Sequence, residues 1–314
     1  MNGYDIIGDI HGCADLLAAL LVRLGYREQD GCFRHPRRQA LLVGDFIDRG
    51  AQNFQTLRMV KAMVEGGAAR AVMGNHEYNA LCYHTGDEKG TFLREHSEKN
   101  INQHRRVLEE IHRCGRQEWP AYLSWFKTLP FFLELDGLRL VHACWDEEKI
   151  RYLKGQADVN SPISDDFLRR SADKGTAEFA AVDMVLKGRE VDLPDGLSYE
   201  DKDGHLRRRV RVRWWLTPSE LKEARSFADI TRAPPRVLNR LRNFKLSLKG
   251  DLPFPGYSEQ ESPVFFGHYW FRGRPQILSV NSLCLDYSAV LGGHLCAYRW
   301  QGESRLNSKN LVYV

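Results

Sequence analysis

Residues 40–50 have the sequence ALLVGDFIDRG. Its first four residues form a short apolar run, which ends at Gly44 and leads directly into charged side chains. Short apolar runs bounded by glycine are typical of buried strands. Four other segments repeat the arrangement, and each places aspartate, asparagine or histidine at the end of the run. These segments are residues 4–11, 69–76, 138–142 and 264–268. Because ligands gather beyond the carboxyl ends of strands in α/β sheets, we expect these polar side chains to converge at one sheet edge.

The side chains that follow the five runs are donors suited to transition metals. Asp9 and His11 stand two positions apart, so on an extended chain both point to the same face. Mixed carboxylate, amide and imidazole donors suit Mn²⁺, Fe²⁺, Co²⁺, Ni²⁺ or Zn²⁺. The donors are numerous enough for two ions, which at a spacing of about 3.5–4 Å clamp a phosphorus centre for in-line displacement. The candidate metal ligands are Asp9, His11, Asp45, Asn75, His142 and His268.

The first third of the chain alternates predicted strands with predicted helices. Residues 14–24 carry leucines at helical spacing, and Gly25 follows where a helix C-cap belongs. Residues 53–65 repeat the pattern and end before Gly66. This order predicts a layered α/β core in which neighbouring strands run parallel.

The polar segments also resemble the motifs of the calcineurin-like metallophosphoesterase superfamily, specifically those of its phosphoprotein phosphatase branch. The motifs are GDIHG (8–12), GDFIDRG (44–50), GNHE (74–77), VHA (141–143) and GHY (267–269). The C-terminal segments LDYS (285–288) and GGHL (292–295) are similar to the end of bacterial diadenosine tetraphosphatase-like proteins. The resemblance implies an α/β fold of four layers, with two packed mixed β-sheets flanked by helices. It leaves residues from about 146 to 262 uncovered.

We therefore expect one metallophosphoesterase catalytic domain over residues 1–314, with a helical and basic insertion or lid at about 146–262. The resemblance also implies two divalent metal ions, of which Mn²⁺ is the predicted identity and Fe, Zn, Co or Ni the alternatives. The ligands of the first ion would be Asp9, His11 and Asp45, and those of the second Asp45, Asn75, His142 and His268. A hydroxide between the ions would attack phosphorus in line.

Three further residues receive roles from the resemblance. Arg49 would bind phosphate oxygens, His76 would protonate the leaving group, and Asp48 would orient His76. We expect Glu77 to complete a hydrogen-bond network without acting in catalysis. The family also implies a second phosphate-binding arginine, for which the candidates are Arg211, Arg213, Arg225 and Arg232.

The substrate stays open between two classes, a phosphomonoester such as phosphoserine or phosphothreonine and a dinucleoside polyphosphate. Asp48 stands where symmetrical diadenosine tetraphosphatases typically have alanine, and Met73 stands where many phosphoprotein phosphatases have arginine. An alternative function is phosphatase or nuclease action on RNA or nucleotide ends. It rests on the arginine-rich residues 207–213, which predict either a nucleic-acid or polyphosphate contact or a solvated, acid-paired strand edge.

The last expectations concern the cellular compartment and the histidines that lie outside the motifs. The seven cysteines form no C-x-x-C pair, so we predict a reducing compartment, the cytoplasm. An apolar strand is predicted to begin at Tyr4, so we expect no signal peptide. No apolar stretch reaches the roughly 20 residues that span a bilayer, so no membrane contact is predicted. Surface or packing roles are predicted for His35, His84, His96, His104 and His112.

Overall fold

The structure is a computed structural model. It describes residues 3–87, 90–157, 162–194, 196–200, 204, 206–246 and 254–314. Two β-sheets form its centre, and strands and helices are numbered along the chain. The first sheet contains β1 (Tyr4–Ile7), β4 (Gln39–Leu42), β5 (Ala69–Ala71), β15 (Asp286–Tyr287), β16 (His294–Trp300) and β17 (Leu311–Tyr313). Its order is β15-β16-β1-β4-β5, with β17 beside β16. Strands β1, β4 and β5 are parallel, and β16 is antiparallel to β1.

The second sheet is also mixed, in the order β14-β13-β7-β6. Its strands are β6 (Phe132–Leu135), β7 (Leu138–Val141), β13 (Val264–Phe266) and β14 (Ser282–Cys284). Strands β7, β13 and β14 are parallel, and β6 forms an antiparallel hairpin with β7. All five segments that the sequence predicts as ligand-bearing strands are therefore strands, three in the first sheet and two in the second.

Shorter strands lie outside the two central sheets. Strands β2 (Arg27–Gln29) and β3 (Cys32–Arg34) pair with each other. A three-stranded sheet contains β8 (Glu190–Asp192), β11 (Arg209–Val212) and β12 (Thr231–Arg232). Strands β9 (Tyr199–Glu200) and β10 (Leu206–Arg207) form a two-stranded ribbon.

Helices cover the outer faces of the sandwich. Those of the N-terminal half are α1 (Ala14–Leu24), α2 (Asn53–Glu65), α3 (Asn75–His84), α4 (Glu98–Glu110) and α5 (Trp119–Phe126). A π-helical turn, Ile111–Gly115, continues α4. The later helices are α6 (Glu147–Lys154), α7 (Asp165–Ala172), α8 (Ala177–Lys187), α9 (Pro218–Glu223), α10 (Phe227–Ile230) and α11 (Pro235–Leu241). The leucines of α1 face the core, and its C-cap Gly25 has a left-handed φ of 91°, which glycine adopts at no steric cost.

Alternate residues of the central strands face opposite layers. Ile6 and Leu41 lie in the apolar cluster between the two sheets, together with Phe265 of β13. Their sequence neighbours Ile7 and Leu42 belong to the larger cluster beneath the helices. All five side chains are fully buried, and burial of each stabilises the fold by roughly 1.5–3 kcal/mol. The result is the four-layer sandwich that the sequence predicted.

The described part of residues 146–262 packs against this core. The indole Nε1 of Trp214 donates to the carbonyl of Ala143, at 2.8 Å, just beyond β7. The Ala143 amide in turn donates to the carbonyl of Val185 in α8, at 2.9 Å. Thr217 caps α9, and its capping box with Glu220 is complete. That these residues act as a lid stays a prediction, and residues 158–161, 195, 201–203, 205 and 247–253 lie outside the described part of the chain.

Candidate metal centre and phosphate site

Side chains from β1 and β4 converge just beyond the carboxyl ends of these strands. Asp9 and His11 follow β1, and Asp45 follows β4. The Nε2 atom of His11 lies 3.5 Å from Oδ2 of Asp45. All three residues are buried, and donor atoms of His11, Asp45 and His76 lie within 4.8 Å of one another.

The second group of donors joins the two sheets at Asp45. The Nε2 atom of His142, after β7, lies 3.4 Å from Oδ2 of Asp45 and 3.0 Å from Oδ1 of Asn75. The Nδ1 atom of His268, after β13, lies 2.7 Å from the same Asn75 oxygen. Asp45 is therefore adjacent to both groups, and the six predicted ligands come from the ends of five strands.

The loops that carry these donors require unusual backbone geometry. His11, Asp45 and His268 have left-handed φ values of 48°, 54° and 70°, and each such conformation costs of order 1–3 kcal/mol. A Cβ on Gly74 would lie 2.2 Å from the Asp45 nitrogen, so only glycine lets the loops after β4 and β5 approach this closely. Strain concentrated on the donors is typical of a functional site.

Unpartnered atoms test whether these residues fit metal ions. Asp9 Oδ1, His11 Nε2 and His268 Nε2 are buried, and none has a hydrogen-bond partner among the described residues. The Nδ1 atoms of His11 and His142 face the carbonyls of Ile47 and Val43, at 2.9 and 2.8 Å. When these imidazoles are deprotonated, as metal ligands are, each Nδ1 donates and each Nε2 presents a lone pair to the neighbouring acceptors. Buried acceptors that face one another fit divalent cations.

The shifted pKa values of the buried donors also fit a site for divalent cations. Burial raises the pKa of Asp9 well above its ordinary value, and the charges of Asp286 and Asp45 add to the increase. Burial also lowers the pKa of His11 to about 3, so the imidazole is neutral as a metal ligand must be. Burial alone would raise the pKa of Asp45, but His142 and His76 hold it well below its usual range. Clustered buried carboxylates of this kind are stabilised by a bound cation.

Glu77 organises the loops around the donors. Its carboxylate accepts hydrogen bonds from the backbone amides of Asp45, Phe46 and Gly74, at 2.9, 2.8 and 3.0 Å. These contacts hold the segment after β4 against the start of α3. The geometry is that of the structural hydrogen-bond network expected from the sequence.

Asp48 contacts two histidines, of which the sequence indicated one. Its Oδ2 atom lies 2.6 Å from Nδ1 of His76, and its Oδ1 atom lies 2.7 Å from Nδ1 of His104 in α4. Burial would raise the pKa of Asp48, but the charges and hydrogen bonds of His104 and His76 hold it below its ordinary value. His104 is buried, as a packing residue would be, yet its polar contact with Asp48 was not predicted.

Arg49 lies beside the metal-ligand group, where an unpredicted aromatic ring supports it. Its guanidinium carbon is 4.5 Å from the centroid of the Trp270 ring, and that ring stacks on His11 at 5.1 Å. The Arg49 Nε atom is buried and has no hydrogen-bond partner within the described ranges. A cation–π contact contributes about 0.5–2 kcal/mol and leaves the guanidinium N–H groups available to an anion.

The four candidate arginines occupy different environments. Arg232 donates to the carbonyls of Tyr269 and Trp270, at 3.0 and 3.2 Å. Arg213 donates to the carbonyl of Asp229, and Arg225 to that of Lys222. Through these hydrogen bonds to backbone carbonyls, all three arginines hold loops in place.

Arg211 differs from the other three. Within the described residues its guanidinium has neither a hydrogen bond nor an ion pair, and it lies 5.8 Å from the Tyr269 ring. Burial is the main cause of the lowered pKa of His268, and the charge of Arg211 is the next. The charge of Arg211 therefore acts on His268, one of the predicted metal ligands.

Residues 207–213 do not form one continuous basic surface. Arg209 lies 3.4 Å from Asp192 on the neighbouring strand and donates to the carbonyl of Glu190. Arg211 lies near the Tyr269 ring, and Arg213 donates to the carbonyl of Asp229. These described arginines therefore have different partners, and the nucleic-acid contact that the sequence offered as an alternative is not supported.

Comparison with known proteins assigns the chain to a family. Residues 4–215 match the family described as Calcineurin-like phosphoesterase. The chain belongs to this family. It is therefore a hydrolase of phosphoric ester or anhydride bonds with a dinuclear divalent-metal centre, whose candidate ligand groups share Asp45.

Relatives extend the similarity over the full chain. A symmetrical bis(5'-nucleosyl)-tetraphosphatase of Vibrio parahaemolyticus is 31% identical over 308 residues, which cover 95% of this chain and 95% of the relative. An asymmetrical bis(5'-nucleosyl)-tetraphosphatase of Bacillus velezensis is 46% identical over 74 residues, 23% of this chain. The match spans only 30% of that relative's length.

A solved structure shows the same fold. The cold-active protein-tyrosine phosphatase of a psychrophilic Shewanella species superposes with a TM-score of 0.51 at 16% identity, covering 96% of this chain and 79% of that chain. At this identity the likeness concerns the fold alone. Among the helices of the described residues, none combines the length and apolar character needed to cross a membrane.

Proposed function

We propose that this phosphoesterase hydrolyses dinucleoside polyphosphates. The observation that carries the proposal is the convergence of six buried donors at five strand ends, with Arg49, His76 and Arg211 beside them. The full-length similarity to a symmetrical tetraphosphatase favours a substrate with a chain of phosphates. Two arginines near the donors suit such a substrate, because it presents several anionic groups in a row.

In this proposal the donors divide between two cations that share Asp45. One cation would be held by Asp9, His11 and Asp45, and the other by Asp45, Asn75, His142 and His268. When bound, two divalent cations polarise a phosphoryl oxygen and make water a sufficient nucleophile at neutral pH. Mn²⁺ is our prediction for the metal among Mn, Fe, Zn, Co and Ni, and the cytoplasm is our prediction for the location.

The remaining residues would act directly on the substrate. Arg49, supported by the Trp270 ring, and Arg211 would bind nonbridging phosphate oxygens and offset charge that develops on them. The Nε2 atom of His76 lies 3.9 Å from Oδ2 of Asp45, on the metal-ligand side of the ring. It would give its proton to the leaving-group oxygen while Asp48 holds Nδ1.

A second candidate substrate is a phosphomonoester with an alkoxide leaving group, such as a serine or threonine phosphate. The Asp48–His76 contact favours it, because a strongly basic leaving group needs protonation more than a nucleotide does. No observation on the described residues favours RNA or nucleotide end processing, since the arginines of residues 207–213 are divided between acid pairing, the site and loop contacts.

A substrate panel with Mn²⁺-loaded protein tests the proposal. Diadenosine tetraphosphate, a phosphoserine peptide, a nucleoside monophosphate and a 5'-phosphorylated RNA would be compared at equal enzyme concentration. We expect kcat/KM for diadenosine tetraphosphate to exceed the others by at least about tenfold, or about 1.4 kcal/mol of transition-state stabilisation. An Asp45→Asn preparation, purified in parallel, controls for contaminating phosphatases.

The products and preferences separate the candidates. Two molecules of ADP would indicate symmetrical cleavage, and ATP with AMP would indicate asymmetrical cleavage. A higher kcat/KM for the phosphoserine peptide than for diadenosine tetraphosphate would favour the phosphomonoester over the dinucleoside polyphosphate as the substrate. Absence of turnover on every substrate after metal loading would contradict the proposed function.

A further inference from the structure

His104 contacts Asp48 although it lies outside every motif of the family. It stands in α4, more than twenty residues beyond the GNHE segment, and its exposed fraction is 5%. Its Nδ1 atom is 2.7 Å from Oδ1 of Asp48, while the other carboxylate oxygen is 2.6 Å from Nδ1 of His76. The Asp48 carboxylate therefore accepts one imidazole N–H at each of its two oxygens.

Two-point contact fixes the plane of this carboxylate. The Asp48 backbone is already held, because its amide donates to Oδ1 of Asn53 at 2.8 Å. The terminal torsion of an aspartate is intrinsically broad, so a carboxylate held only by His76 could rotate together with that ring. With His104 on the second oxygen, rotation would break a buried charge-assisted hydrogen bond.

His104 is itself fixed by its surroundings. Its Nε2 atom lies 3.3 Å from Nε2 of His84, and its ring contacts those of Tyr83 and Trp119 at 5.3 and 5.8 Å between centroids. Six residues further along α4, Glu110 accepts hydrogen bonds from the backbone amides of Asn53 and Phe54. The same helix thus docks on the loop that carries Asp48 and delivers His104 to it.

We propose that His104 is a positioning residue that fixes the Asp48 carboxylate and, through it, the orientation of His76 for protonation of the leaving group. The inference rests on the proposed function, because it assumes the acid role of His76. His104 is too far along this chain of contacts to touch the substrate itself. It therefore acts on the rate of leaving-group departure without forming part of the phosphate site.

Two substitutions separate the hydrogen bond from packing. His104→Leu introduces an apolar side chain of similar size without the N–H donor, whereas His104→Asn places an amide N–H near the position of Nδ1. For aryl and alkyl phosphates of increasing leaving-group pKa, we expect His104→Leu to lower kcat about ten- to a hundredfold on the poorest leaving groups. This is part of the about 10²–10⁴-fold that a positioned general acid contributes.

The expected pattern has further parts that a purely structural role would not produce. The loss in kcat should shrink to less than about threefold on the best leaving groups, where protonation matters little. KM and bound metal should stay unchanged, and His104→Asn should recover most of the rate on poor leaving groups. Val107→Ala, a cavity-forming change at a buried position of the same helix, should lower stability without altering the leaving-group dependence.

A double-mutant cycle with Asp48→Asn decides whether His104 acts through Asp48. Residues that act as one unit have strongly non-additive effects, so His104→Leu should lower kcat no further in the Asp48→Asn background. If the kcat losses of the two substitutions multiply in the double variant, the positioning role is overturned. It is also overturned if His104→Leu lowers kcat equally for all leaving groups. If His76→Asn and Asp48→Asn show leaving-group-dependent losses and His104→Leu does not, only this inference fails. If none of the three does, the acid role in the proposed function fails with it.

Discussion

At the scale of single residues, Asp45 is the position on which both groups of donors depend. We predict that Asp45→Asn lowers kcat/KM by at least about a hundredfold, because the neutral amide can no longer bridge two cations. The fold should persist, since asparagine tolerates the left-handed φ of 54°. Its amide oxygen can also accept the His76 backbone hydrogen bond that Oδ1 of Asp45 accepts.

Two measurements check the Asp45 prediction together. Elemental analysis of the purified variant should show loss of metal relative to the unsubstituted protein, and circular dichroism should show unchanged secondary structure. Activity equal to that of the unsubstituted protein, in a variant with intact structure, would contradict the shared-ligand assignment.

Arg211 carries the second prediction at this scale. Arg211→Gln should raise KM for a dinucleoside polyphosphate about tenfold with a smaller change in kcat, because a charge-assisted phosphate contact contributes about 1.5–3 kcal/mol. Arg209→Gln is the matched control, since Arg209 lies two residues earlier on β11 and pairs with exposed Asp192. Steady-state kinetics of both variants give the comparison, and equal KM changes would count against a direct phosphate contact.

Residues in the motifs could be predicted from the sequence, and the residues that support them could not. Asp9, Asp45 and His268 follow apolar runs directly, so their place at a sheet edge was visible in the order of residue types. Trp270 and His104 contact Arg49 and Asp48 only because distant loops and helices fold against them. No spacing along the chain encodes such contacts.

At the scale of elements, the five ligand-bearing strands were predicted because they are short and mostly apolar. Residues 40–43 read as a continuous apolar run, and their parallel neighbours at 4–7 and 69–71 are apolar apart from Asp5 and Arg70, a pattern close to that of buried parallel strands. Helix α4 has a less regular apolar pattern. Its buried face carries His104 and Glu110 as well as Val107, and two polar residues weaken the apolar periodicity on which helix assignment depends.

Glu110 of α4 acts as a cap for a different helix. Its carboxylate accepts hydrogen bonds from the Asn53 and Phe54 amides at the start of α2, at 2.9 and 3.0 Å. It also accepts one from the Asn53 side chain at 2.7 Å. We predict that Glu110→Ala lowers the free energy of unfolding by about 3 kcal/mol, because buried donors lose their acceptor.

Denaturant unfolding measures this effect, with Glu109→Ala as the control. Glu109 is the exposed neighbour that pairs with Arg106, and its substitution should change the free energy of unfolding by no more than about 0.5 kcal/mol. Activity of Glu110→Ala should also fall, since Asn53 accepts the Asp48 amide hydrogen bond. Equal stability of the two variants would show that α2 does not depend on this cap.

At the scale of the whole molecule, the site lies where two sheets meet, and each sheet contributes donors that the other lacks. Asp9, Asp45 and Asn75 come from the first sheet, and His142 and His268 from the second. The sequence indicated this assembly through the order of its motifs. It did not indicate how residues 146–262 pack, because contacts such as Trp214 to Ala143 join segments about seventy residues apart.

Metal removal should therefore weaken the interface between the sheets as well as abolish activity. Buried Asp9, Asp45 and Asp286 repel one another, and bound cations offset that repulsion. A ligand present at a hundred times its Kd stabilises a fold by about 2.7 kcal/mol, so chelation should lower Tm by several degrees. Readdition of Mn²⁺ should restore it, with about two ions bound per chain. The Asp45→Asn variant should respond much less to chelation, since it has lost the shared ligand. An unchanged Tm after complete removal of metal from the unsubstituted protein would show that cations do not hold the two sheets together.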